Sequence, residues 1–265
     1  MTESNFFHII HTSITGKEGD RMKTKLGDNW LLPRIEIFKN FTLKSLLNQE
    51  NRNFLHWISF TPIEKDKKEI LELSNYLKSL DYNFVFTFSG HPYWDTHGNN
   101  KKLMKRMEDS FSIIKKFVHD KDYIYFTVID SDDAFHREVV KEIQNCIFKE
   151  RVAYYFKNGY VFNFKTKELG DWKPTNPAPF YTIPFQSEVF WNAQKNWEYQ
   201  RGLRVHHILN KCFDVEQLSD GKYMVGIHNL NNTTRWTEAI RKKNISNKEE
   251  KIKILDGFGL SDYVK

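Results

Sequence analysis

The chain has 265 residues, of which 40% are hydrophobic and 28% are charged, and this balance excludes a disordered protein. The length allows one large domain, or one domain with a subdomain. The formal net charge of +6 fits an anionic ligand, an anionic membrane surface or nucleic acid, and it selects none of them.

The first half of the chain alternates apolar runs with amphipathic segments. The apolar runs predict strands at 6–12, 54–60, 82–88 and 123–129. Apolar residues spaced by about 3.6 predict helices at 30–49, 65–80, 99–119 and from about 134 to 148. A polar segment with three glycines, 13–29, predicts a long loop. Alternation of this kind predicts an α/β fold with a mainly parallel central sheet flanked by helices.

The second half has a different pattern. Asn158-Gly159 lies between two aromatic-rich runs and predicts a β-hairpin over 152–164. Residues 165–184 are rich in proline, glycine and asparagine and predict a loop, whereas 186–210 is partly helical in pattern. One more strand is predicted at 222–228. We therefore expect a mixed α+β second half, followed by a polar loop at 229–234 and a basic C-terminal tail.

Three carboxylates follow the fourth predicted strand directly, in the sequence Asp130-Ser131-Asp132-Asp133. Ligands of parallel sheets bind at the carboxyl ends of strands, and Mg²⁺ and Mn²⁺ prefer oxygen ligands. Two carboxylates one residue apart predict an ion on Asp130 and Asp132 that bridges to a diphosphate. Asp133 is a further candidate ligand, or the cap of the following helix. A plain turn or helix start is the alternative for the whole cluster.

Six stretches carry a likeness to a known family, and they occur in the same order: FHIIHTSI, WLLPRIEIFKNFTLKSLLNQ, FLHWISF, FTVIDSDDAFHREVV, PFQSEVF and VGIHNLNNTT. Together they resemble the rhamnosyltransferase-like bacterial sugar transferases, which have the GT-A glycosyltransferase fold. The aspartate stretch is the most specific, since the family's L-D-N-D-D becomes I-D-S-D-D with the same carboxylate spacing. The resemblance implies a nucleotide-sugar donor and a Mg²⁺ or Mn²⁺ ion. It also implies a donor-binding half at 1–150, an acceptor half at 151–240 and a tail at 241–265.

Candidate donor contacts lie around the aspartates. His11 and Thr12 end the first predicted strand, where the base or ribose of a nucleotide lies in α/β sites. Arg34 matches the W-x-x-x-R spacing of the family, and a guanidinium can bind phosphate with two hydrogen bonds. A helix-surface ion pair is the alternative for Arg34. Two weaker donor contacts are predicted at Arg21 and at Ser131, which lies inside the motif with Asp130.

Two further candidates lie in the second half. His228 ends the last predicted strand and is a candidate metal ligand, with a structural histidine as the alternative. An inverting transferase needs a base for the acceptor hydroxyl, and Glu188 in PFQSEVF is our candidate. Asp171 and Glu198 are rivals, and an ordinary surface carboxylate is the alternative reading of Glu188.

Several features bear on the compartment. The two cysteines, Cys146 and Cys212, have no C-x-x-C spacing and predict reduced thiols in a cytoplasmic protein. The first 16 residues lack a signal-peptide pattern, and no run of about 18 apolar residues predicts a spanning helix. The basic residues of 101–106 predict a solvated helix face, or a peripheral contact with anionic headgroups at the inner face of a membrane.

The sequence therefore predicts a metal-dependent glycosyltransferase that moves a sugar from a nucleoside-diphosphate donor to a hydroxyl of a glycan or lipid-linked acceptor. No nucleic-acid partner is expected. One alternative is another metal-dependent phosphate enzyme, a nucleotidyltransferase or a nuclease. The other is a non-catalytic carbohydrate-binding module in which the aspartates only cap a helix.

Overall fold

The computed structural model describes residues 5–15, 30–91, 100–174, 180–200, 203, 208–228 and 244–264. Within these ranges the chain folds into two β-sheets with helices packed against them. The strands, in chain order, are β1 Phe6–Ser13, β2 Leu55–Ser59, β3 Phe84–Thr87, β4 Tyr123–Val128, β5 Asp133–Phe135, β6 Val152–Tyr155, β7 Gly159–Asn163, β8 Leu169–Trp172, β9 Tyr181–Gln186, β10 Asp214–Gln217 and β11 Tyr223–Ile227. The α-helices are α1 Leu31–Ile37, α2 Lys44–Leu47, α3 Lys68–Ser79, α4 Asn100–Ile114, α5 Val139–Gln144, α6 Ser187–Phe190, α7 Ala193–Tyr199, α8 Leu209–Cys212 and α9 Lys248–Gly257.

The larger sheet has seven strands in the order β10-β6-β9-β4-β1-β2-β3. Strands β4, β1, β2 and β3 run parallel to one another, whereas β9 runs antiparallel to its neighbours β4 and β6. At the carboxyl edge, His11 of β1 lies opposite Val128 of β4, and Ser13 lies opposite Ser59 of β2. The predicted α/β fold with a mainly parallel central sheet is confirmed.

Apolar clusters cover both faces of this sheet. The neighbours Ile9 and Ile10 of β1 are both fully buried but belong to opposite clusters, as the two-residue period of a strand requires. Residues of α1 and α3 pack on the Ile10 face, and residues of α4 pack on the Ile9 face. This burial on both faces explains why these strands appear as continuous apolar runs in the sequence.

The smaller sheet has four strands in the order β5-β11-β7-β8. A third apolar cluster joins this sheet to α9 through Phe162, Met224, Leu255 and Phe258. Each sheet contains strands from both halves of the sequence. Strand β5, from the first half, lies in the smaller sheet, whereas β6, β9 and β10, from the second half, complete the larger sheet. The division expected at residue 150 therefore does not coincide with the division between the sheets.

The helix predicted at 30–49 is present and carries a π-helical segment at Phe38–Leu43 between α1 and α2. Such wide turns are uncommon and concentrate at functional sites. The predicted helix at 99–119 is shorter than expected, because α4 ends at Ile114 and a single 3-10 turn follows it. The other strands and helices of the first half, up to residue 129, are present within a few residues of their predicted bounds.

The prediction of a helix from Ala134 is wrong at its start. Asp133–Phe135 forms strand β5, which pairs antiparallel with β11, and the helix begins only at Val139. The N-cap position of that helix is Glu138 and carries no side-chain capping bond. The role of Asp133 as a helix cap is therefore excluded.

The predicted hairpin over 152–164 is also wrong. Its two runs are strands, but β6 pairs with β9 and β10 while β7 pairs with β8 and β11. The predicted loop at 165–184 contains β8 and the start of β9. The C-terminal tail contains the ten-residue helix α9. The polar loop predicted at 229–234 lies outside the described residues, as does most of 13–29.

Among the described helices, none has the length and apolar content that crossing a membrane requires. The exposed residues of the basic run are Lys101, Lys102 and Lys105, whereas Arg106 is buried. The expected solvated basic face of α4 is thus formed by the three lysines alone.

Candidate metal centre

The acidic turn lies where the two sheets meet. Strand β4 ends at Val128, and the amide of Ile129 donates a hydrogen bond to the carbonyl oxygen of His11 at 3.0 Å, at the carboxyl edge of the parallel strands. The chain then turns through Asp130 and enters β5 of the smaller sheet at Asp133. The apolar strand ends at three aspartates because the chain leaves one sheet for the other at this point.

The three carboxylates converge. Asp130, Asp132 and Asp133 each offer an oxygen atom, and these atoms all lie within 4.8 Å of one another. Asp130 is half-buried, whereas Asp132 and Asp133 are 7% and 4% exposed. Oxygen atoms at this separation can share one hard divalent cation.

Arg34 reaches the turn from α1. Its Nη2 donates to Oδ1 of Asp132 at 2.7 Å and its Nη1 donates to Oδ2 at 2.9 Å, which is a two-pronged ion pair. Its Nε donates to the hydroxyl of Ser131 at 2.9 Å. The ring of Trp30, one helical turn earlier, lies 5.9 Å from the guanidinium carbon. Arg34, which the sequence predicts as a phosphate ligand, is therefore hydrogen-bonded to the Ser131 and Asp132 side chains of the motif.

His228 closes the other side of Asp132. Its Nε2 lies 2.9 Å from Oδ2 of Asp132 and 3.2 Å from Nη1 of Arg34. Because Arg34 can only donate, a ring nitrogen that donates to Asp132 cannot also accept from Arg34. The shorter contact favours an Nε2–H that donates to the carboxylate. The structure thus brings His228 to the cluster, as its position after β11 predicts.

Neighbouring aspartates differ in their pKa. Burial alone would raise the pKa of Asp132, but the Arg34 guanidinium and His228 hold it well below its usual range. Burial raises the pKa of Asp133 well above its usual range, and the carboxylates of Asp132 and Asp130 add to that rise. The nearby carboxylates thus disfavour the ionised form of Asp133. A divalent cation between the three carboxylates would offset their mutual repulsion, so these side chains fit a Mg²⁺ or Mn²⁺ ion.

Gly226 is a part of the site that the sequence analysis missed. Its amide donates to Oδ1 of Asp133 at 3.1 Å. A side chain at this position would overlap the carbonyl oxygen of Asp132 and approach Phe164 to 2.6 Å. Strand β11 can therefore lie against the acidic turn only because residue 226 is glycine. The sequence feature that could have identified this residue is the glycine in VGIH, two residues before the candidate ligand His228.

His11 and Thr12 lie at the predicted edge but face opposite sides of the sheet. His11 contacts the hydroxyl of Ser59 at 3.0 Å, and burial, followed by the charges of His91 and His56, lowers its pKa. Thr12 is fully buried and contacts Nε2 of His56 at 2.9 Å. The side chain of Thr12 is thus a core contact, and His11 is also buried, at 1% exposure, against the rings of Trp57 and Phe126. Arg21 lies outside the described residues.

Glu188 is not brought to the aspartates. Strand β9 runs antiparallel to β4, with Gln186 opposite Tyr123 at the amino end of β4. Glu188 follows this end, is 72% exposed and pairs with Lys195 at 3.4 Å. Asp130 follows the other end of the six-residue strand, about 20 Å away at 3.3 Å per residue. Glu188 is therefore too far from the acidic turn to act as the acceptor base there.

The fold and the site define an α/β protein with an acidic, metal-type cluster at the carboxyl edge of a mainly parallel sheet. No family model matches the chain, and no curated protein matches it. The inositol-1-phosphate CTP transferase from T. maritima is similar over 95% of this chain and 96% of its own, with 9% identity and a TM-score of 0.46. S. aureus TarS 1–349 is similar over 95% of this chain and 70% of its own, with 13% identity and a TM-score of 0.43. Similarity this distant does not transfer an activity.

Proposed function

We propose that this protein is a metal-dependent glycosyltransferase of GT-A-like architecture. It would transfer a sugar from a nucleoside-diphosphate donor to a hydroxyl of a glycan or a lipid-linked acceptor. The single observation that carries this proposal is the convergence of three carboxylates at the carboxyl edge of a parallel sheet. Nucleotides bind at that edge in open α/β sheets, and a diphosphate needs a bridging cation to approach carboxylates.

Each part of the site has a role in this proposal. The aspartate cluster would hold Mn²⁺ or Mg²⁺, which when bound supplies positive charge opposite the departing nucleoside diphosphate. His11, buried at the adjacent strand end, would lie beneath the nucleoside side. The parallel part of the larger sheet within 1–150 would form the donor side, and 151–240 would supply the acceptor side. The likeness of the sequence to rhamnosyltransferase-like proteins supports a hexose or deoxyhexose as the sugar.

The half-buried position of Asp130 makes it the best single residue for a test. A thermal-shift screen would compare UDP, GDP, dTDP and CDP, each with Mn²⁺, Mg²⁺ or EDTA. A ligand at 100 times its Kd stabilises a folded protein by about 2.7 kcal/mol, which is a readily measured shift. We expect one nucleotide to stabilise the wild type only when metal is present. Asp130→Asn should abolish that shift, whereas Asp66→Asn, at an exposed aspartate outside the site, should retain it.

The products then separate this function from its rivals. With the matching nucleotide sugar, release of a free nucleoside diphosphate that depends on metal and on Asp130 supports the transferase. Release of pyrophosphate, or cleavage of nucleic acid, would replace it with a nucleotidyltransferase or a nuclease. Carbohydrate binding that is unchanged by EDTA and by Asp130→Asn would support the binding module instead.

A further inference from the structure

We propose that Arg34 divides the three aspartates into an anchor and an ion site. Arg34 and His228 hold Asp132, and the divalent cation is taken by Asp130 and Asp133. This assignment rests on the proposed function, because it concerns the ion of the same site. It differs from the Asp130–Asp132 pair that the spacing of the sequence predicts.

The first support is that the hydrogen-bonding capacity of Asp132 is largely used within the protein. Both oxygens of its carboxylate accept from the Arg34 guanidinium, and Oδ2 also contacts His228. The Arg34 and Asp132 side chains are only 11% and 10% exposed. A two-pronged, buried ion pair of this kind is geometrically specific, and breaking it leaves an uncompensated charge. Asp132 is therefore fixed as a partner of Arg34.

The second support is the hydrogen bonding of Asp133, which is 4% exposed and whose carboxylate converges with those of Asp130 and Asp132. Within the described part of the chain, the one hydrogen bond to the Asp133 carboxylate comes from Gly226 and involves Oδ1 alone. The other oxygen of Asp133 is thus available to a metal ion. Without a metal, burial of an ionised carboxylate with a single hydrogen bond would cost folding free energy.

The third support is the path into the site. Asp130 is the half-buried member of the cluster, and it precedes the two buried aspartates in the turn. An ion on Asp130 and Asp133 is thus open to a donor diphosphate. Arg34 acts as a positioning residue that keeps Asp132 from closing around the ion.

The experiment measures Mn²⁺ affinity by electron paramagnetic resonance of the free ion, in the full-length protein. Asp130→Asn and Asp133→Asn should each weaken binding by at least about tenfold, since ligand charge sets the affinity of oxygen sites. The double variant Arg34→Gln/Asp132→Asn removes a cation and an anion together. It should bind Mn²⁺ within about threefold of the wild type, because the net charge of the site is unchanged. Its unfolding midpoint confirms that it folds.

Arg34→Gln alone provides a readout that a merely structural role would not give. It releases the Asp132 carboxylate, and Mn²⁺ binding should become tighter by about tenfold as the ligand charge rises. Damage to the fold can only weaken binding, so tighter binding reports the release of Asp132.

Two outcomes overturn the inference, and they are distinguishable. If the double variant loses Mn²⁺ as strongly as Asp133→Asn does, Asp132 is itself a ligand. The assignment then fails while the proposed metal-dependent function stands. If the wild type binds no Mn²⁺ even with a nucleoside diphosphate present, the metal dependence of the proposed function fails together with the assignment.

Discussion

Asp132 and Asp133 are adjacent in the chain, yet their side chains meet opposite electrostatic surroundings. Arg34 and His228 lower the pKa of Asp132, whereas burial and two neighbouring carboxylates raise that of Asp133. The difference comes from long-range partners on α1 and β11. Residue type and spacing therefore predict a cluster of carboxylates here, but they do not predict that the pKa of Asp132 is lowered and that of Asp133 raised.

At the same scale, we expect substitution of Gly226 to disturb the metal site as strongly as substitution of the aspartates does. Gly226→Ala places a methyl group against the carbonyl of Asp132 and the ring of Phe164, so the acidic turn must move away from β11. Overpacking of this kind costs about 1–3 kcal/mol of unfolding free energy. We also expect the variant to lose the metal-dependent nucleotide shift. Urea unfolding and the thermal-shift screen measure the two effects separately.

Gly159→Ala is the matched control for this prediction. It also overlaps a backbone carbonyl, that of Tyr223, but at the opposite end of β11 from His228. Gly159→Ala should lose a comparable amount of stability and still show the metal-dependent shift. If Gly226→Ala keeps that shift, the close approach of β11 is a packing feature with no bearing on the site.

At the scale of elements, one helical run fixes the acidic turn and the strand that follows it. Arg34 in α1 holds the turn, and the hydroxyl of Ser45 in α2 accepts from the amide of Phe135 at 3.1 Å. Gln49, just beyond α2, accepts from the amide of Val140 at 3.0 Å. The π-helical segment Phe38–Leu43 lies between Arg34 and Ser45, so it sets the rotation of one relative to the other. Apolar spacing predicts the run but not its wide turn.

The C-terminal helix α9 is expected to be part of the folded core. Phe258, next after α9, is fully buried against Tyr160 and His136, with ring centroids 6.0 and 5.5 Å away. Phe258→Ala should lower the unfolding free energy by about 3–5 kcal/mol, because it removes a buried ring and leaves a cavity. Lys253→Ala, at an exposed position of α9, should change it by less than about 0.5 kcal/mol. Equal, small effects in urea unfolding would show that this segment is a dispensable tail.

At the scale of the whole molecule, the sequence predicts the parallel half well and the second half poorly. Strands β1, β2 and β4 are buried on both faces, and the edge strand β3 is buried on one face and partly buried on the other, so all four have apolar runs. The hairpin prediction failed because Asn-Gly is a local signal, whereas the partners of the two strands are remote. The amide of Phe156 donates to the carbonyl of Phe180, in the segment that leads into β9, and β7 pairs with β11.

The candidate site shows the same limit. The end of the fourth predicted strand placed Asp130 correctly at the carboxyl edge of the parallel strands. His228 reaches the same cluster from β11 of the smaller sheet, whose close approach depends on Gly226. Glu188 was predicted from the likeness of PFQSEVF, and that prediction fails because the antiparallel direction of β9 has no signature in the residues of that strand. Asn-Gly and PFQSEVF are equally local, and neither shows which way the chain enters the sheet.

Stability should fall steadily as the solution is acidified from pH 7 to pH 5. Burial lowers the pKa of His8 and of His56 to about 3. Each ring is held neutral: Nδ1 of His8 accepts from Gln144 at 3.2 Å, and Nδ1 of His56 lies 3.1 Å from the Tyr82 hydroxyl. Below about pH 6.5 the unfolded chain binds protons that the folded chain does not. At pH 5 each histidine therefore costs about 2 kcal/mol of unfolding free energy, and the loss continues until about pH 3.

Urea unfolding at pH 7 and pH 5 measures this slope, and single variants assign it. His8→Gln should lower stability at pH 7 through lost packing, yet reduce the loss between pH 7 and pH 5 by about 2 kcal/mol. Because only the difference between the two pH values is compared, damage to the core from the substitution cancels. A slope that is the same in His8→Gln and the wild type would mean that His8 titrates equally in the folded and unfolded chains, and that its ring is not held neutral by the core.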